Sequence, residues 1–320
     1  MSGKIIGDRQ RWAWLAAGLS AAAVTVTAGI SWFWVLAGGL ASILYYMYLE
    51  GHLRPVGLAE VLRHRLGLWA CVLTFLWTVA VMGWTAVLAD TAFPNVDGFP
   101  SLGWALLALT AWGSRKGAAA CARCCGILCL LLGGLYAVIL GFSLPQVELQ
   151  RLRPVGTGAD GLWALGVCLL PAAVWYAPCQ KGRLPRLMWL ALPVAAAAVS
   201  AITAGVLSPE LTAELPLPFY TLTQWVSIFG VVERIEPLLS AALTMGVFSL
   251  LSALACSCGA LTKGAGLGDT GGPLSCLLAA VAMFFVRELS LPVLTVGAAV
   301  IWLVLPLGAV LWDNRKRAYK

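Results

Sequence analysis

Long apolar runs separated by short polar segments make up almost the whole chain. A helix crossing a bilayer needs about 20 mostly apolar residues. On that measure the sequence predicts ten spans, at 12–30, 32–49, 66–88, 101–112, 118–142, 162–179, 187–207, 237–261, 273–286 and 291–312. The fourth and ninth are short. A very tight turn at Ser31 joins the first two. Two connections stand out. The segment 50–65 reads as a polar loop and holds both histidines, His52 and His64. The segment 207–232 is longer. Its second half, about 218–232, carries Phe219, Leu222, Val226 and Phe229 at spacings that fall on one helical face. It reads as an amphipathic helix lying on the membrane surface or capping the bundle.

Composition agrees with this pattern and narrows it. Of the 320 residues, 61% are hydrophobic and 11% charged, against about 25% charged in a typical soluble domain. A soluble enzyme, a nucleic-acid-binding domain and a disordered tail are excluded, which leaves an all-α membrane protein. The net charge of +7 is spread over short loops, unlike the clustered charge of a nucleic-acid binder. With the N-terminus taken as cytoplasmic, all but four of the 21 basic residues fall on the inner side. The exceptions are Arg151, Arg153, Arg234 and Arg287. Every inner loop thus obeys the positive-inside rule, and ten spans with both termini inside follow. The basic start and first apolar run also fit a cleaved signal peptide, although that run is as long as the later spans.

Candidate chemistry is sparse. Cys121, Cys124, Cys125 and Cys129 have spacings that set them on one side of a helix. Such a cluster suits a soft metal, but thiols standing in for Ala or Ser in a close-packed helix are the preferred reading. No Ser-His-Asp arrangement, Walker loop or HExxH motif occurs, and neither enzyme activity nor a metal or cofactor is expected. Ionisable residues avoid the deep interior: Asp90, Arg123, Arg287 and Glu288 lie near span ends. That argues against a strongly proton-coupled pump, and it leaves open a ligand held by backbone groups. Broken helices offer such groups. The sixth span carries Pro171 and Pro178, with Ala173, Trp175 and Tyr176 between them. The first span, its counterpart if five helices repeat as five, offers Gly18, Ser20 and Thr25. The alternative is a proline kink in one helix and small packing residues in the other. Glu233-Arg234-Ile235-Glu236-Pro237 lies at the start of the eighth span, as an ion-paired latch or an ordinary interfacial cap.

The stretch Pro218-Phe219-Tyr220 … Phe229-Gly230-Val231-Val232-Glu233-Arg234-Ile235-Glu236-Pro237-Leu238 resembles the signature of the spore germination permease family, the B subunits of GerA-type germinant receptors. Gly117 followed by Ala122-Arg123 is similar to that family's opening of span five, and Leu152-Arg153-Pro154 to an outer loop. The resemblance implies a single membrane domain of ten transmembrane helices arranged as two inverted five-helix repeats, LeuT-like, about 12–142 and 162–312. It implies a small germinant such as an amino acid, bound around Gly18, Ser20, Thr25, Pro171, Ala173, Trp175 and Tyr176. It implies an A subunit and a lipoprotein C subunit as partners, and the spore inner membrane as location. Arg123, Glu233, Arg234 and Glu236 would then serve structure or signalling. The sequence departs from the family at Ala119, where a Glu is usual, and in the first span, which has no Gly-rich, Pro-ended break. An amino-acid permease of the same fold and a non-transporting structural subunit are the alternatives.

Overall fold

The computed structural model describes residues 6–25, 30–52, 58–91, 101–153, 156, 158–176, 179–180, 186–215, 217–225, 236–287 and 290–318. The described chain is helical apart from one two-residue strand pair. The helices are α1 (Asp8–Thr25), α2 (Trp32–His52), α3 (Leu58–Leu66), α4 (Leu68–Thr91), α5 (Ser101–Ser114), α6 (Ala118–Ser143) and α7 (Gly158–Cys168), followed by a 3₁₀ segment, Leu170–Tyr176. They continue with α8 (Arg186–Leu207), α9 (Pro209–Glu214), α10 (Pro218–Trp225), α11 (Glu236–Gly264), α12 (Gly271–Val286) and α13 (Leu291–Ala298). A π-helical stretch, Ala299–Val304, joins α13 to α14 (Leu305–Ala318). Among the described residues six helical stretches are long and apolar enough to cross a membrane. They fall in α2, α4, α6, α8, α11 and the α13–α14 rod; α5 and α12 contribute shorter apolar helices.

Hydroxyl groups inside these helices are satisfied locally. Thr74, Thr78, Thr85, Ser143 and Thr203 each donate to the carbonyl four residues earlier. That bond lets a polar side chain sit in apolar surroundings without an orphan donor. Glycines set two boundaries: Gly67, between α3 and α4, and Gly117, before α6, adopt φ of 84° and 86°, a region that disfavours side chains. At the start of α5 the Gly103 N–H donates to Asp90 Oδ1 at 2.7 Å, so a carboxylate from α4 caps that helix.

Two sets of helices pack against each other. In one, α2 lies on α7 and α8, and α1 contacts α8 and the 3₁₀ segment. The close approach has a simple cause: a Cβ built at Gly38 would lie 2.6 Å from Leu165 N, and one at Gly39 2.7 Å from Pro193 Cβ. In the other set α4, α5, α11 and α12 pack mutually. Helix α1 bridges the two through α11, with α6 along its flank. Strands Ile6–Gly7 and Cys179–Gln180 pair in parallel, Ile6 opposite Cys179 and Gly7 opposite Gln180.

Part of the expected polar loop 50–65 is structured. Helix α3 buries Leu58, Ala59 and Leu62 and leaves Arg63 and His64 exposed; the Arg63 guanidinium donates to the Gly264 carbonyl at the end of α11. The expected outer helix is described over Pro218–Trp225, where Phe219 and Leu222 are buried and Phe219 meets Tyr136 edge-on at 6.2 Å. This part caps the bundle; Val226 and Phe229 lie outside the described residues.

Candidate functional site

The centre of the site is the place where the sixth span stops being an α-helix. Helix α7 ends at Cys168, and the chain tightens into the 3₁₀ segment with Pro171 as its second residue. Proline has no N–H, so the i→i+3 bond that residue 171 would give to the Cys168 carbonyl cannot form. The Tyr46 hydroxyl of α2 donates to that carbonyl instead, at 2.7 Å. A side chain from another helix thus closes the break, which is how non-helical backbone survives at depth.

Helix α1 runs directly across this break. A Cβ built at Gly18 would meet Pro171 Cβ at 3.5 Å and the Leu250 backbone at 3.7 Å. Trp14 fastens α1 to α11, its Nε1–H donating to the Ser249 carbonyl at 3.0 Å and to Ser252 Oγ at 3.1 Å. Two small cavities flank the crossing. One lies between α1, α2 and α8 and is lined by Leu15, Gly39, Ser42, Tyr46, Pro171 and Leu192 among others. The second lies between α1, α4 and α11 and is lined by Ala21, Ala22, Trp84, Thr85, Leu170 and Leu250 among others. Ser42 and Thr85 spend their protons on their own helices, donating to Gly39 and Val81 carbonyls. Among the described residues neither cavity is lined by a charged side chain. Each encloses only about 10 Å³, about the room of one water molecule.

Toward the N-terminal end of α1 an aromatic stack shuts the space. The Trp175 ring stacks with Tyr46, 5.9 Å away, and with Trp189, 6.0 Å away. The guanidinium of Arg11 sits 4.3 Å from the Trp175 ring centroid, within cation–π range, and Arg11 is only 5% exposed. Trp12 adds a bond from its indole N–H to the Met188 carbonyl at 2.7 Å.

The expected site residues divide accordingly. Gly18 and Pro171 meet at the crossing. Ala173, Trp175 and Tyr176 are buried on the closing side and do not line either cavity. Ser20 Oγ donates to the Ala17 carbonyl of its own helix at 2.7 Å. Thr25 ends α1, and its side chain lies outside the described residues. Arg123 is exposed on α6. Glu236 begins α11, while Glu233, Arg234 and Pro178 lie outside the described residues. The cavity wall from α4 and α11, above all Trp84, Thr85, Leu88, Val247 and Leu250, was not expected from sequence. These residues sit in helices that are apolar all round, where periodicity marks no face.

The cysteine cluster does not act as one face. Cys121 and Cys125 are buried, Cys124 is exposed and Cys129 is intermediate. Among the described residues no group of three or more His, Cys, Asp or Glu side chains is placed to hold a metal ion.

Two solved structures share this architecture. One is a nucleobase-cation-symport-1 family transporter in a closed conformation with bromovinylhydantoin bound. It matches at a TM-score of 0.57 and 14% identity, over 92% of this chain and 75% of its own. The other is a Na⁺-coupled sialic acid symporter in a substrate-bound outward-open state, with a TM-score of 0.51 and 15% identity, over 94% and 74%. The chain has the fold of the LeuT-like transporters. No family model matches the sequence, and no curated protein does.

Proposed function

We propose that the chain is a permease-like membrane protein that binds a small uncharged or zwitterionic solute beside the Leu170–Pro171 break. One observation carries this: a buried helix end faces α1, with a small charge-free cavity on either side. A ligand with net charge would lack a counter-charge among the described lining residues, and an unpaired buried charge is expensive.

The finer reading is the B subunit of a spore germinant receptor, acting with an A subunit and a lipoprotein C subunit in the spore inner membrane. Its support is the Pro218–Glu236 signature, which spans the junction between the capping helix α10 and the start of α11. The basic inner loops support cytoplasmic termini. Helix pairings support two five-helix repeats. Helix α1 packs on α6 as α7 packs on α13, and α2 on α7 as α8 on α1. Likewise α4 packs on α12 as α11 packs on α5. The likeness to two symporters favours a second reading, an uptake permease.

Thermal-shift measurements on the reconstituted protein with neutral, zwitterionic and charged small solutes test the site. Stabilisation by a member of the first two classes is expected, and Ala22→Leu should abolish it by filling the cavity. Stabilisation by anions that survives Ala22→Leu overturns the site. Spores lacking the chain should lose a germinant response; a normal response with concentrative uptake in proteoliposomes selects the permease.

A further inference from the structure

The buried cysteines carry an arrangement that solute binding does not use. Helices α6 and α11 run antiparallel: Cys125 Sγ lies 3.4 Å from Ser252 Oγ, and further along α6, Leu132 shares a buried cluster with Ala242, further back on α11. One turn before Cys125 on α6 is Cys121; one turn after Ser252 on α11 is Cys256. The register therefore sets these thiols opposite each other, and they are direct side-chain neighbours. They are 4% and 8% exposed. Cys121 lies in the first turn of α6, a few residues after the exposed Lys116 and Gly117.

We infer that Cys121 and Cys256 form a reversible disulfide that ties α6 to α11, with a peroxide as oxidant. The Cys121 sulfur attacks one peroxide oxygen, the O–O bond breaks, and the first water leaves as the sulfur becomes a sulfenic acid. The Cys256 sulfur then attacks that sulfur. The S–S bond forms, the S–O bond breaks, and the hydroxyl leaves as a second water with the Cys256 proton. Two thiols have lost two electrons to the peroxide, which is reduced to water. In a reducing compartment the dithiol is the resting form. Both joined helices pack on α1, so the bond fastens the wall against which α1 lies.

The test uses the full chain in nanodiscs, treated with hydrogen peroxide, then unfolded, alkylated and mapped by peptide mass spectrometry. The expected result is a Cys121–Cys256 cross-linked peptide that outweighs every other cysteine pair and is lost on reduction with dithiothreitol. Cys276→Ser should retain it and Cys256→Ser should lose it. Cys121 recovered fully alkylated, bonded chiefly to Cys276 or Cys125, or carried on to the sulfinic acid without a cross-link overturns the inference. The mapping of the unsubstituted protein decides the matter even if Cys256→Ser fails to fold.

Discussion

Removing the hydroxyl that closes the α7 break tests the central structural argument directly. Tyr46→Phe keeps the ring, and with it the stack on Trp175, and deletes the donor to the Cys168 carbonyl. An acceptor left unsatisfied in a buried site costs about 1–3 kcal/mol. Interhelical hydrogen bonds in membranes measure lower, with a mean near 0.6 and a maximum near 1.7 kcal/mol. The proline decides between these ranges. Because Pro171 has no N–H, no neighbouring backbone donor can take over the i→i+3 bond, so the upper part of the membrane range applies, about 1–1.7 kcal/mol. Unfolding equilibria in mixed detergent micelles should therefore shift by roughly 5–20-fold. Pro171→Ala restores the missing N–H, so Tyr46→Phe should cost markedly less in that background. An equal cost of Tyr46→Phe in both backgrounds, read as a double-mutant cycle, refutes the account of the break.

Other expectations follow from the same packing. Gly38→Val should cost at least 1–3 kcal/mol through overpacking against α7, seen as loss of monodisperse protein on size exclusion. Gly126→Ala should be neutral or stabilising by about 0.5–1 kcal/mol, since nothing lies within 4 Å of the added Cβ. Trp175→Ala removes two stacks and a cation–π contact and should cost about 3–5 kcal/mol, with faster amide exchange in the first turns of α1. Trp175→Phe should retain most of the protection; equal exchange in both variants would deny the stack its closing role.

Bilayer thickness fixes the length of an apolar run, so α2, α4, α6, α8 and α11 sit close to their sequence-based positions, while six of the ten expected spans are long and apolar enough to cross among the described residues. Helix α3 was hidden by its polar average, although Leu58, Ala59 and Leu62 already held the i, i+1, i+4 spacing of a buried stripe. Pro171 was readable as a break, and its partner was not. Nothing local to Tyr46 says that its hydroxyl serves a carbonyl far along the chain. The cavity walls were illegible for a related reason: Thr85 and Leu250 look like their neighbours until helix crossing selects them. The cysteine spacing suggested one face of α6, whereas packing against α11 separates Cys121 and Cys125 from the exposed Cys124.

The short parallel pairing of Ile6–Gly7 with Cys179–Gln180 has a mechanical meaning. It joins the residues just before α1 to those just beyond the 3₁₀ segment, so the two strands that enter and leave the crossing are stitched at one end. A lever pinned in this way has its free arm at the other end. Motion that widens the space around Leu170 must either swing both segments together about the stitch or first unzip it.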